Sequence, residues 1–410
     1  MRNTRRNSPA REVRMGEPSG RMEAQAATLA VPARASYFGE RAGVLIEELA
    51  RRAGIEIGRE LIVRDRTMWA DWAAKGMLGI GESYMQGKWD APRVDVVMGK
   101  LAALPSSEKR KIFSSWRNKA LVGLATLANR QRRSRELEVA VGHYNLGNDF
   151  FAAWLDPQMQ YSCAVWKDAR TLEEAQLAKM RLLAEKLELR PGHAVLDIGC
   201  GWGGFGRFLA REYGARVTGV NISTEQIRWC RGRAAAEGLG EAFETREQSW
   251  RDLKGRWDRI VCVGMLEHVG PKNYGDFFAV CGRALAEDGV FVLQTIGSNQ
   301  SRDALNDRWI TTYIFPNGAL PSIAQIARAV EKRLVVEDLQ NLGPDYDRTL
   351  MAWHERFQRI KGQFPLNQTF VRMWEFYLLY TAAGFRERKT QLWQIVMTKR
   401  RKDRCDAGRG

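Results

Sequence analysis

The sequence predicts an α/β fold: an open, mostly parallel sheet with helices on both faces, preceded by a smaller α+β domain. Three observations predict it. From about Pro191, strand-like runs alternate with helical runs. A glycine-rich turn joins the first of these strands to the helix after it. The stretch from Arg41 to Leu104 carries a different, mixed pattern. Regular alternation implies parallel strands, because the chain must cross back through a helix before it can pair in the same direction.

In chain order, residues 1–35 are rich in Arg, Ala, Ser and Pro, with few large apolar side chains, and are expected to be a disordered basic tail. Residues 36–104 form the expected N-terminal α+β domain. There GVLIEELARRA has helical apolar spacing, IEIGRELIVRD alternates like a strand, and GIGESYMQGKWDAPRVDVVMGKLAAL reads as a turn followed by a helix. Residues 105–140 are a basic connector whose helical spacing suits either a membrane-interface helix or an interdomain helix with a solvated face. Residues 141–398 form the main domain. Its strand-like runs are HAVLDIG, ARVTGVN, AFETREQ, DRIVCVG and GVFVLQTIG, with GFGRFLAREYG and STEQIRWCRGRAAAEG as helical runs between them. Residues 399–410 are a second basic tail.

Composition narrows the function. None of the six cysteines stands in a C-x-x-C pair and only four histidines are present, which disfavours a zinc site and a disulfide framework. No run approaches the roughly 18 apolar residues of a membrane span, and the first residues lack the apolar block of a secretory signal. A reducing cytoplasm is the expected compartment. The net charge of +16 suits nucleic acid, anionic lipid or simple solubility, and composition does not choose among them.

The segment VLDIGCGWGGFGRFLA carries the most chemistry. A strand ends at Asp197, then Gly199, Gly201, Gly203 and Gly204 lead into a helix. Glycine tolerates positive φ and lets a ligand approach the backbone, and open α/β sheets bind ligands at the carboxyl ends of their strands. The D-x-G-x-G-x-G order differs from the G-x-G-x-x-G turn of dinucleotide sites. It resembles the first motif of class I S-adenosylmethionine-dependent methyltransferases. Many of those enzymes place an acid at the end of the second strand; here Asn221 stands there, with Gln226 following.

Several further strings resemble the cyclopropane-fatty-acyl-phospholipid synthase family. They are GIGESYMQGKWD, HYNLGNDFF, MQYSCAVW, GVNISTEQ, GMLEHVGPKNY, WITTYIFPNGALPS, GPDYDRTLMAWHERF and LWQIV, spread over residues 60 to 398 in family order. The resemblance implies a class I, Rossmann-like fold with a mostly parallel seven-stranded sheet. It implies S-adenosyl-L-methionine as cofactor and an unsaturated phospholipid as substrate. In the family reaction the double bond takes the sulfonium methyl, a cation forms, and a base, thought to be bound bicarbonate, removes a proton as the ring closes. Such a cation needs shielding from water and aromatic faces nearby, and the chain holds 14 Trp.

Carried over by motif, Glu267 and Tyr346 are expected to hold the bicarbonate, with the backbone at Cys163 and Ile296 adding contacts. Cys163 is not expected to be a nucleophile. Cofactor contacts are expected at Tyr161, Ser162, Asp197, Gly199, Gly201, Asn221, Gln226 and Trp250, and Tyr144 is a candidate for the substrate pocket wall. His143 and His268 read as structural hydrogen-bonders. One position departs from the family: Gln294 replaces a histidine that would help bind bicarbonate. An amide hydrogen-bonds but carries no positive charge, so a methyl or methylene branch is the alternative product to a ring.

The enzyme is expected to sit on the inner face of the membrane as a peripheral protein. The stretch Ser298–Ser322 would line a substrate tunnel or act as a lid, and the N-terminal domain would serve docking or homodimer formation. The rival reading is an RNA or DNA methyltransferase. Against it, MLEHVG stands where base-methylating enzymes commonly carry N-P-P-Y, and no nucleic-acid module is recognisable.

Overall fold

The computed structural model describes residues 44–105, 107, 147–301 and 307–399. The tails, Tyr144, His143 and nearly all of the basic connector lie outside the described residues.

The main sheet has seven strands. They are β3 (Ala194–Ile198), β4 (Arg216–Asn221), β5 (Phe243–Glu247), β6 (Trp257–Val263), β7 (Leu285–Ser298), β8 (Val335–Asn341) and β9 (Thr390–Thr398), in the spatial order β5-β4-β3-β6-β7-β9-β8. The first five strands are parallel; β9 runs antiparallel between β7 and β8. The sheet is thus mostly parallel and seven-stranded, as the family resemblance implies. Strand order reverses between β3 and its neighbours β4 and β6, which opens a crevice at their carboxyl ends.

Alternate side chains on each strand serve opposite faces. Val195, Val217, Val261 and Val292 face one core with Leu183, Phe208 and Ile227. Leu196, Ile198, Ile260 and Leu293 face the other with Phe277, Phe278 and Ile326. The first face is covered by α6 (Leu172–Lys186), α7 (Gly204–Tyr213) and α8 (Thr224–Ala236), the second by α9 (Tyr274–Ala284) and α11 (Ile323–Val330). Local chemistry sets the helix starts: Thr171 and Glu174 form a capping box before α6, Ser322 and Gln325 do so before α11, and Ser223 caps α8.

A third, aromatic core lies among helices outside the sheet. It joins the N-terminal segment to α5 (Asn148–Ala152), α10 (Arg308–Tyr313), α12 (Gly343–Ile360) and α13 (Gln368–Arg386), with Trp72, Trp89, Trp154, Trp309, Trp353 and Trp374 fully buried. The N-terminal segment comprises α1 (residues 44–52), β1 (Ile62–Val63), α2 (Met68–Lys75), α3 (Met77–Met85), β2 (Trp89–Asp90) and α4 (Val94–Ala103). From α13, Arg372 donates to the Tyr84 carbonyl at 2.5 Å, and Arg386 pairs with Asp95 at 2.8 Å.

Two local readings differ from the sequence. IEIGRELIVRD forms a strand only at Ile62–Val63, because Gly58 (φ +95°) turns the chain beforehand and leaves a lone bridge between Ile57 and Leu61. GIGES, read as a turn, is helical. Its glycines answer to packing: a Cβ at Gly79 would lie 2.0 Å from the Asp71 carbonyl oxygen, and one at Gly81 would lie 2.3 Å from the Trp309 ring.

Candidate active site

An open crevice lies at the ends of β3 and β4. Its floor is the turn after β3, where Gly199 (φ +80°) and Gly201 (φ +55°) occupy the left-handed region. A Cβ at Gly199 would meet the Met265 side chain at 2.8 Å, whereas Gly201 faces open space. On one wall, Asn221 Nδ2 donates to Gln226 Oε1 at 2.7 Å while Asn221 Oδ1 accepts from the Ile222 N–H at 2.7 Å. Gln226 Nε2 is buried without a partner, and Gln226 lines the crevice. An unmet amide donor there suits the ribose hydroxyls of a nucleoside cofactor. Trp250 lines the far wall, its ring edge-on to Phe277 at 5.3 Å.

Gln248, Gly264, Met265 and His268 also line this crevice, and sequence reasoning did not assign them to the cofactor. They come from the ends of β5 and β6. Their only signal was position, just after the third and fourth strand-like runs. Burial lowers the His268 pKa to about 4, so its ring is neutral at pH 7.

Beside the glycine turn runs the loop from Asp156 to Cys163. Asp156 accepts the Gln158 and Gln160 N–H groups at 2.9 and 2.8 Å, folding the loop back on itself. Tyr161 Oη donates to Tyr377 Oη at 3.0 Å, and its ring packs 5.2 Å from Trp353. Ser162 is buried and accepts from Lys179 Nζ at 3.1 Å. Asp197 is buried at the end of β3, and desolvation raises its pKa to about 7 despite the opposing charge of Lys179.

The second half of the site gathers around β7. Glu267 sits in a short turn after β6, and its Oε1 accepts the Ile296 N–H at 2.6 Å. Its Oε2 is buried and has no partner among the described residues. Burial pushes its pKa up to about 7, against the lowering effect of backbone hydrogen bonds. Such a carboxyl changes protonation near neutrality and has one oxygen free to meet another group. Two residues before Ile296, Gln294 Nε2 donates to the Cys163 carbonyl at 3.4 Å, and Gln294 Oε1 accepts from Gln394 Nε2 at 2.9 Å. The Cys163 thiol is fully buried, and desolvation raises its pKa well above the ordinary thiol value. Tyr346 lies on α12 one turn before Thr349, whose hydroxyl accepts the Ala164 N–H at 3.1 Å. Its ring packs 4.6 Å from Phe385.

The structure thus pairs Glu267 with the Ile296 N–H and Gln294 with the Cys163 carbonyl along β7, while the Tyr346 ring packs against Trp353 and Phe385. Gly199, Gly201, Asn221, Gln226 and Trp250 share the crevice. Tyr161, Ser162 and Asp197 do not line it; Lys179 bonds Ser162 and acts through its charge on Asp197. Tyr144 falls outside the described residues.

A parallel sheet with this strand order, a glycine turn at its reversal point and an unmet amide above it define a class I methyltransferase that uses S-adenosylmethionine. Residues 131–395 match the family described as mycolic acid cyclopropane synthetase, and the chain belongs to that family. It is 45% identical over 361 residues to the cyclopropane-fatty-acyl-phospholipid synthase of Escherichia coli (strain K12), an alignment covering 87% of this chain and 93% of that protein. It is 35% identical over 340 residues to the tuberculostearic acid methyltransferase UfaA1 of Mycobacterium tuberculosis (strain H37Rv), covering 79% of each. Among solved structures, the mycolic acid cyclopropane synthase CmaA1 complexed with SAH and CTAB superposes with a TM-score of 0.59 at 32% identity. That match covers 64% of this chain and 98% of CmaA1.

Proposed function

We propose that this enzyme adds a methylene bridge to the cis double bond of an unsaturated phospholipid acyl chain, giving a cyclopropane ring. The observation that carries this reading is the Glu267 carboxyl. It is buried, near-neutral in pKa, fixed by the Ile296 N–H and open at Oε2.

Gly199, Gly201, Asn221, Gln226 and Trp250 would hold S-adenosylmethionine, which when bound supplies an electrophilic methyl carbon. Glu267, Gln294 and Tyr346, with the backbone at Cys163 and Ile296, would hold a bicarbonate ion as the base that takes up the proton lost on ring closure. The fit is chemical: the hydroxyl of hydrogen carbonate can donate to the free Oε2 of Glu267. Tyr161, Trp353 and Tyr377 present aromatic faces that exclude water and stabilise positive charge on the acyl chain.

A specific observation favours a second product. Gln294 makes two amide hydrogen bonds within the site but brings no charge to hold an anion. Slower proton removal would leave part of the product as a methyl or methylene branch. For access, the enzyme docks peripherally on an anionic membrane surface. No helix among the described residues is long and apolar enough to cross a membrane.

The test is incubation of purified protein with radiolabelled S-adenosylmethionine and either phospholipid vesicles with monounsaturated chains or RNA. Gas chromatography with mass spectrometry of the fatty acids is expected to show cyclopropane product. Label confined to RNA would reject the lipid assignment.

A further inference from the structure

Lys179 has no part in the chemistry above, yet it carries a charge into the interior. It lies on α6, wholly buried, and its Nζ donates to Gln160 Oε1 at 2.5 Å and Ser162 Oγ at 3.1 Å. Both acceptors are neutral. No carboxylate among the described residues lies within 4.0 Å of it, although Asp156 and Asp197 stand near enough to act on its charge. A buried ammonium is costly unless opposite charge is close.

The surroundings show where its field goes. One turn earlier on α6, Gln176 Nε2 donates to the carbonyls of Gln160 and Ser162 at 3.2 and 2.9 Å, so α6 clamps both ends of Gln160-Tyr161-Ser162. The same loop abuts the glycine turn: a Cβ on Gly204 would lie 1.9 Å from the Gln158 carbonyl oxygen. A hydroxyl has one proton to give. Lys179 occupies an acceptor position on Ser162 Oγ, and no acceptor for the Ser162 proton exists among the described residues. Ser162 is left as a donor backed by a cation, on the loop that abuts the glycine turn.

We infer that Lys179 is a positioning residue that builds, through Ser162, the recognition site for the carboxylate of the cofactor's amino-acid end. The inference rests on the cofactor reading above and deepens it. An anion accepting from Ser162 Oγ completes the charge balance that the neutral partners of Lys179 leave open. The nucleoside end, at Gln226 and Trp250, is independent of this device.

The test measures binding, not turnover. Isothermal titration of the full chain uses two probes: S-adenosylhomocysteine, which carries the carboxylate, and 5′-methylthioadenosine, which lacks it. In Lys179→Met, S-adenosylhomocysteine affinity is expected to fall by about tenfold to a hundredfold, the range of a charge-assisted hydrogen bond, while methylthioadenosine affinity holds. Ser162→Ala is expected to show the same selective loss, and the double variant no further loss. Unchanged S-adenosylhomocysteine affinity in Lys179→Met, or equal losses for both probes, would overturn the inference. Failure of the wild-type chain to bind either probe would instead reject the cofactor reading. Should Lys179→Met not fold, the same pair of titrations on Ser162→Ala decides: equal affinity losses there also overturn it.

Discussion

Glu267 is the residue on which the chemistry turns, and its environment makes two opposed demands. Burial favours its neutral form, whereas hydrogen bonds from its own backbone, the Ile296 N–H and the Thr295 side chain favour the ionised form without fully compensating. Glu267→Gln keeps the shape and removes the titration. Turnover is expected to fall by about a hundredfold or more, with S-adenosylhomocysteine affinity unchanged by calorimetry. The stability effect has a definite sign. A carboxyl whose folded pKa is raised contributes stability below its unfolded pKa and loses it as pH rises through about 7. The melting temperature of Glu267→Gln relative to wild type is therefore expected to rise between pH 5 and pH 8; a constant difference would show that Glu267 does not titrate in that window. Gln294→His restores a group able to carry charge, and gas chromatography is expected to show a larger ring-to-branch ratio; an unchanged ratio argues against a role for Gln294 in holding the base. Asn221 and Gln226 were legible because they follow a strand end at fixed spacing. Lys179 was not: in LEEAQLAKMRLLAEK it looks like any charge on an amphipathic helix, and only the fold shows it buried.

At the scale of elements, the central parallel strands β3, β6 and β7 were legible because they are buried on both faces and so read as apolar runs. The antiparallel edge was harder. In β8, Val335, Val336 and Leu339 are exposed while Asp338 is buried, and a bulge between Val336 and Asp338 breaks the alternation. The glycines of α3 misled because a helix interior rarely needs glycine unless a neighbour presses on it. The glycine turn before α7 combines both uses. Gly199 and Gly201 are conformational, but Gly204 is there for contact with the Gln158 carbonyl and Gln160. Gly204→Ala forces the Asp156–Cys163 loop off the start of α7. It is expected to destabilise the fold by about 1–3 kcal/mol, as overpacking does, read as a lower urea midpoint. Because the same loop carries Ser162, S-adenosylhomocysteine affinity falls as well. A variant with wild-type midpoint and affinity would show that the loop yields freely.

For the whole molecule, the net charge of +16 is unevenly placed along the chain. Most of the basic surplus belongs to residues 1–43, 108–146 and 400–410, while the catalytic elements are close to balance. Basic residues outside the elements that carry Glu267 are the ones a docking step on an anionic surface would use. The proposed substrate demands such a division, because its double bond lies below a charged headgroup layer. Each basic residue near an anionic surface adds about 1 kcal/mol, so the proposed docking assigns a salt-sensitive attachment to Arg130, Arg132, Arg133 and Arg135. Sedimentation of the full chain with vesicles is expected to show binding to phosphatidylglycerol-rich membranes that weakens as salt rises, and little binding to neutral phosphatidylcholine. Replacing these four arginines by alanine is expected to weaken anionic-vesicle binding while S-adenosylhomocysteine affinity stays at the wild-type value. Equal binding to both vesicle types, insensitive to salt, would mean that apolar insertion rather than charge brings the enzyme to its substrate.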